Sequence, residues 1–243
     1  MTEPSSYVAL SGQIAMERRL VTIANNVANA TTPGYRAESV QFSTIMSATA
    51  PFSTAFATEG AQHVDPRSGG LVKTGNSLDV AIQGDGFMAI QTPQGIGYTR
   101  DGRMQMLPTG DLVTLNGHAV LDISGSPLSI NSGGGAVEIS RDGMLRQDGR
   151  SVGALGLFSI DLAKGYSRYE NSAFMPQAAA EQIDDFTRNG VVQGFIEESN
   201  VNPVLEITRL IAVQRAFEAI SSSMEQRDTT LRDSIQALGA RSS

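Results

Sequence analysis

Leu210, Phe217, Met224, Leu231 and Leu238 recur at strict seven-residue intervals near the C-terminal end, and this repeat restricts what the chain can fold into more than any other feature. A seven-residue apolar spacing keeps a continuous stripe on one side of a helix, where it demands a partner. Val213, Ile220 and Ile235 fill part of the companion seam, while Arg227 and Asp228 interrupt it. Asn202-Pro203 supplies an N-cap and a residue whose φ is already set for the first helical position. A helix from Pro203 to Leu238 would be about 50 Å long at ~1.5 Å per residue, too long for a small β domain to cover. It calls for another long helix.

The other end of the chain offers one. From about Ser6 to Ala30, Leu10, Ile14, Val21, Ala24 and Ala28 lie on one helix face, with Met16, Leu20, Ile23 and Val27 forming a second seam beside it. Together they cover nearly half the helix surface, more than one neighbour would hide. Pro33 disfavours a helical Thr32, and Gly34 can take the positive φ of a stop, so the helix should end around Thr31 to Gly34. The expectation is an α+β chain whose long N- and C-terminal helices form a coiled-coil-like pair around a central antiparallel β-rich domain. The leftover apolar stripe would meet other copies. If the face used differs from the face met, the product is an open filament. Before assembly the helical ends should be only partly ordered.

From about Ser43 to Asp79, Ser, Thr, Ala and Gly dominate and no period is sustained, which reads as an extended connector whose length points to contacts with neighbouring subunits. From about Val80 to Ser172, short apolar runs alternate with Asp101-Gly102, Asn116-Gly117, Asp142-Gly143 and Asp148-Gly149. These are hairpin signals. Asn116-Gly117 suits a type I′ turn, and Met104 and Met106, like Val137 and Ile139, alternate with polar residues as half-buried strands do.

Several functions are disfavoured by what the chain lacks. A net charge of -7 opposes nucleic-acid binding, because an acidic surface gains nothing from releasing phosphate counterions. The absence of Cys removes disulfides and thiolate metal sites. No basic residue precedes Arg18, so the start does not read as a cleaved signal peptide, and no run of about 18 apolar residues suggests membrane insertion. Gly149-Arg150-Ser151-Val152-Gly153 matches a nucleophile elbow, but His63 and His118 both precede Ser151 and a hydrolase of that kind needs its histidine afterwards. Gly133-Gly134-Gly135 lacks the Lys-Ser/Thr of a phosphate loop and reads as a plain loop. Asp184-Asp185 and Glu197-Glu198 read as solvated acidic turns, and the two histidines are isolated from further metal ligands. No enzyme activity, small-molecule substrate or cofactor is implied.

Ile23-Ala24-Asn25-Asn26-Val27-Ala28-Asn29, followed by Thr32-Pro33-Gly34-Tyr35-Arg36, resembles the N-terminal signature of flagellar basal-body rod and hook proteins. Asn25, Asn26 and Asn29 place amides at the end of an apolar helix, where they can bond across subunits or cap backbone groups. Gly194-Phe195-Ile196-Glu197-Glu198-Ser199-Asn200-Val201-Asn202 and Gln214-Arg215-Ala216-Phe217-Glu218 resemble that family's C-terminal signature. Gly84-Asp85-Gly86-Phe87 and Tyr98-Thr99-Arg100-Asp101-Gly102 are similar to its β-domain motifs.

The resemblance implies a helical D0 from residues 1–35 and 202–243, an extended Dc connector at 36–80, a D1 β domain at 81–186 and a return connector at 187–201. It further implies a structural subunit that assembles with itself and neighbouring rod proteins into the flagellar drive shaft across the periplasm. Export would run through the flagellar type III apparatus without a cleaved signal. The small middle domain and the start Tyr7-Val8-Ala9-Leu10-Ser11 are most similar to the proximal rod members, the distal rod members being the nearest alternative. A secreted binding protein using its β domain is the alternative of another class. The interface residues expected are Leu10, Ile14, Val21, Asn25, Asn26, Asn29, Leu210, Phe217, Met224, Leu231 and Leu238.

Overall fold

The computed structural model describes residues 3–47, 54–57 and 60–239. Both terminal repeats become helices: α1 spans Glu3–Ala28 and α2 spans Pro203–Gly239. Asn202 opens α2 as its chemistry dictates. Its Oδ1 accepts from the Leu205 amide at 3.1 Å and its carbonyl from the Glu206 amide, which satisfies the first turn. α1 ends at Ala28, and after Pro33 the chain turns through Gly34 at φ +69°.

Contacts divide the chain into two units, the first comprising Met1–Ala28, Glu38–His63 and Asn202–Ser243. In it α1 packs along α2 and also against the strands Glu38–Gln41 and Thr54–Ala57. Thr44–Ser47 and Thr54–Ala57 form a hairpin, with Ile45 opposite Phe56, and Glu38–Gln41 pairs with Ala61–Val64. The face α1 buries holds Ala15, Thr22, Ile23 and Asn26, flanked by half-buried Met16, Leu20 and Val27. On α2 Glu206 and Val213 are buried and Leu210, Phe217, Ile220 and Met224 half-buried, at alternating spacings of three and four. The side chains of Leu231, Ile235 and Leu238 lie outside the described residues.

The expected coiled-coil-like pair of long helices is therefore corrected. Two α-helices of unequal length, 26 and 37 residues, accompany a β-rich bulk among the described residues. A coiled coil needs matched apolar seams on both helices. On α1 the residues Leu10, Ile14 and Val21 are exposed, and small or polar Ala15, Thr22 and Asn26 take up the buried face instead. α1 still packs along α2, but through a face of small, polar and single apolar residues, and the strands Glu38–Gln41 and Thr54–Ala57 share in covering it.

The second unit comprises Asn29–Ala37 and Val64–Val201 and is antiparallel throughout its named strand pairs. Its nine-stranded sheet is centred on Phe87–Thr92, which pairs with Gly95–Thr99, Ala119–Val120 and Leu157–Ser159. A three-stranded sheet, Val137–Ile139, Met144–Gln147 and Arg150–Ala154, packs its buried Val137, Ile139 and Leu145 into the same core as Val80, Ile82, Met88 and Leu112. Glu138 between them is exposed, so the period of two is realised.

Asn116-Gly117 forms a hairpin of a different kind from the type I′ turn expected of it. Gly117 is left-handed at φ +85° and its amide bonds to the Thr114 carbonyl, but Asn116 does not share the positive φ. Leu115 and Asn116 instead occupy the centre of a right-handed turn with the glycine as its bulge. The true I′ geometry falls at Asp148-Gly149, both at positive φ, between paired Gln147 and Arg150. That places Ser151 on a strand after a hairpin turn, where the strand-to-helix elbow of a hydrolase does not form.

Candidate assembly interface

Among the described residues of the helical unit, the large exposed apolar side chains gather on two helix stretches. On α1 Leu10, Ile14 and Val21 are 46%, 43% and 55% exposed. On α2 Val204, Leu205, Ile207 and Ile211 are exposed, Val204 most of all at 74%. The second stretch was missed in the sequence, although Val204, Ile207 and Ile211 follow a three-and-four spacing, because the longer heptad repeat next to it dominates the pattern. Burying the exposed part of each such side chain is worth about 1 kcal/mol. Seven of them fall at the lower end of the ~4–15 kcal/mol cost of association, so a single contact is marginal and repeated contacts in a polymer are needed.

Beside Ile14 and Val21 lies an open groove of about 550 Å³, walled on its other side by Val40 and rimmed by Glu17 and Glu38. Asn25 is also at this groove, exposed at the end of α1. Asn29 is half-buried and ties down the turn after α1, its side chain accepting from Thr32 Oγ1 at 3.1 Å. Leu210, Phe217 and Met224 are half-buried on the face of α2 described above.

Asn26 has a different job. It is 2% exposed, and its amide grips the backbone of Glu38 from both sides: Nδ2 donates to the carbonyl at 2.8 Å and Oδ1 accepts from the amide at 3.0 Å. The same Nδ2 reaches the Glu206 carboxylate at 3.3 Å, and Glu206 also takes a hydrogen bond from Arg209 at 2.6 Å. One amide thus mimics a strand partner and joins α1, the first strand and the start of α2. A hydrocarbon of that size would take this partner from both backbone groups of Glu38 and one hydrogen bond from the buried Glu206 carboxylate.

In the β unit, the remaining motif residues converge on Glu197, which is 1% exposed. Its carboxylate accepts from Arg100 Nε at 2.6 Å and from the Gly69 amide at 3.0 Å, and pairs with Arg36 at 3.2 Å. Its carbonyl accepts from the Gly34 amide. Arg100 spends its remaining donors on the carbonyls of Ile82, Gly84 and Gly86, and Arg36 donates to those of Pro66 and Arg67. Burial, and then the neighbouring Arg100 charge, lower the Arg36 pKa to about 10. The reading of Glu197-Glu198 as a solvated pair is corrected for Glu197, since its partners lie more than ninety residues away and leave no local signature; Glu198 is exposed. Gly34 must be glycine here. A Cβ on it would stand 2.3 Å from the Asp101 amide nitrogen.

Other candidates resolve simply. Asp184 and Asp185 are exposed, and Asp185 caps its own turn through Thr187. His63 is exposed on its strand, and His118 Nε2 lies 2.9 Å from Glu170, which holds a left-handed φ of +49° to reach it. Among the described residues no group of three His, Cys, Asp or Glu could hold a metal ion, and no helix is long and apolar enough to cross a membrane.

Three family models match this chain: a flagella basal body rod protein model at residues 7–36, a flagellar hook protein FlgE/F/G D1 domain at 81–147, and a flagellar basal body rod FlgEFG protein C-terminal region at 192–237. A protein of Mesorhizobium japonicum named flagellar basal-body rod protein FlgF is 46% identical, over 99% of this chain and 100% of its own length. Another of that name from Rhizobium meliloti is 42% identical over 96% and 97% of the two chains. A Bacillus subtilis protein named flagellar basal-body rod protein FlgG is 32% identical over 95% and 97%. The model boundaries coincide with α1 and its turn, the front of the β unit, and the segment from Val192 through most of α2.

Proposed function

The chain belongs to the flagellar basal-body rod protein family, and we propose that it works as a structural subunit of the rod, polymerising with copies of itself and with neighbouring axial proteins through its terminal helices. The observation that carries this reading is the pair of exposed apolar stretches at Leu10, Ile14 and Val21 and at Val204, Ile207 and Ile211. Soluble monomers have little use for two such stripes, whereas a subunit with one neighbour ahead and one behind uses both. Higher identity to FlgF relatives than to a FlgG relative supports a place in the proximal part of the rod.

In this reading the D0 segments, 1–35 and 202–243, carry the axial contacts, and Leu10, Ile14, Val21 and Asn25 face neighbours. Asn26 and Asn29 hold the helix ends in the shape those contacts need. Leu210, Phe217 and Met224, half-buried on the face of α2 that carries Glu206 and Val213, offer neighbours only their exposed parts, with Leu231 and Leu238 continuing the same repeat. The connector at 36–80 touches adjacent subunits, and 81–186 and 187–201 form the D1 body and the return. The reading includes export through the flagellar type III apparatus, residence in the rod where it crosses the periplasm, and no catalytic step.

Sedimentation and negative-stain microscopy of the full-length chain against an Ile14→Asp, Ile211→Asp variant test it. Concentration-dependent fibres or tubes that the paired substitution abolishes are expected. A monomer at every concentration, even with the other axial proteins added, would overturn the reading in favour of a binding role for the β domain.

A further inference from the structure

The helical unit carries a groove and an unfilled stripe on different parts of its own surface. The groove is apolar at Ile14, Val21 and Val40, and acidic at Glu17 and Glu38 with Arg18 alongside. The stripe is Val204, Ile207 and Ile211, three residues on one side of the first turns of α2, and the first charged residue past them on that side is Arg215. Because Val204, Ile207 and Ile211 are all exposed, the chain's own stripe does not occupy its own groove.

Resting on the rod reading above, we infer that the groove between α1 and the strand Glu38–Gln41 receives the Val204–Ile211 stripe of a second copy of this chain. Three features select that occupant. The groove volume accommodates more than one aliphatic side chain, and the stripe presents β-branched Val and Ile side chains, which are already stiff and lose little freedom on docking. One charge match is available, since Arg215 one turn beyond Ile211 can bring a cation toward Glu17 on a rim that Arg18 and Glu38 share. The geometry also fits the marginal energy of a single contact. Each copy owns one groove and one stripe, and a head-to-tail contact that fills one groove leaves a stripe free at one end and a groove at the other, so the contact propagates. The Asn26 grip on Glu38 gives the groove its wall, because it fixes the first strand against α1.

The chain has no cysteine, which makes disulfide trapping clean. Full-length Val21→Cys and Ile207→Cys variants, one carrying a size tag, are mixed at a concentration where the protein pellets and are then mildly oxidised. The expected result is a mixed dimer, one V21C chain linked to one I207C chain, in about tenfold excess over either same-site dimer, an excess that Glu17→Arg lowers and Glu17→Arg with Arg215→Glu restores. Same-site dimers dominating, or no link in a polymer that has formed, would overturn the groove-to-stripe contact while leaving the rod reading intact. A mixed link that appears only when another axial protein is added would overturn the second copy as the occupant. Failure of the unsubstituted chain to pellet at any concentration would count against the rod reading and remove this inference with it.

Discussion

Glu197 and Arg100 meet at 2.6 Å with side chains 1% and 0% exposed, and this ion pair is the point at which three separated sequence motifs lock into one body. Arg36 from the first motif, Arg100 from the second and Glu197 from the third place two guanidinium groups on one carboxylate. The excess positive charge is tolerated because both arginines also donate to backbone carbonyls.

Removing the single carboxylate should therefore be costly. Glu197→Gln keeps the volume but leaves two buried cations without a counter-charge, and a loss of about 3–5 kcal/mol is expected in urea unfolding. Glu198→Gln, at the exposed neighbour, should stay within about 0.5 kcal/mol of the parent.

Asn26→Asp replaces a donor by an acceptor facing the Glu38 carbonyl and sets a second carboxylate next to Glu206. A loss of about 2–3 kcal/mol is expected. Acidification should recover part of it as the crowded carboxylates take up a proton, so the gap between variant and parent narrows as pH falls. Denaturant titrations at two pH values would read this directly.

Two glycines with similar backbone angles should respond differently to alanine. Gly34 has φ +69° and a Cβ there would press on the Asp101 amide, whereas Gly117 has φ +85° and open space around it. Gly117→Ala should cost about 1 kcal/mol of backbone strain alone. Gly34→Ala should cost about 3 kcal/mol or more, because strain and a backbone clash add. Thermal melting of both variants makes the comparison.

Acid should loosen the contact between His118 and Glu170. Burial pushes the Glu170 pKa up, but hydrogen bonds from His118 and Asn116 outweigh it and hold the carboxyl below its usual range. A depressed folded-state value contributes stability that is present above the unfolded pKa and lost as pH falls through the folded one. Stability should thus decline below about pH 4.3, and Glu170→Gln should flatten that decline by less than about 1 kcal/mol, the group being partly exposed. The pH dependence of the melting temperature tests it.

What could be read from the sequence was what is written locally. The start of α2 at Asn202-Pro203, the alternation around Glu138 and the turns at Asn116-Gly117, Asp142-Gly143 and Asp148-Gly149 follow from neighbouring residues, whereas Asp101-Gly102 makes no hairpin because the strands on its two sides pair elsewhere in the sheet. The partner of each helix face does not follow from neighbouring residues, because burial of the α1 face depends mostly on α2, at the other end of the chain, with the strands Glu38–Gln41 and Thr54–Ala57 beside it. Leu10, Ile14 and Val21 and the buried Ala15, Thr22 and Asn26 lie on the same helix, and only the folded arrangement separates outward from inward. The Asn116 turn shows the same limit at short range, since two turn types accept Asn-Gly and the pairing of Val113 with Ala119 decides between them.

The bond from Asn26 to Glu206 spans 180 positions of sequence, and the helical unit is made from the first and last parts of the chain. Such a unit cannot close until α2 has been delivered, because its loop-closing contacts are made by that helix. A chain emerging from its start onward would have its β strands available for pairing long before α1 finds its partner. Completion of the helical unit is thereby tied to the arrival of α2, so a chain that has made α1 without α2 holds one exposed stripe and no closed helical unit.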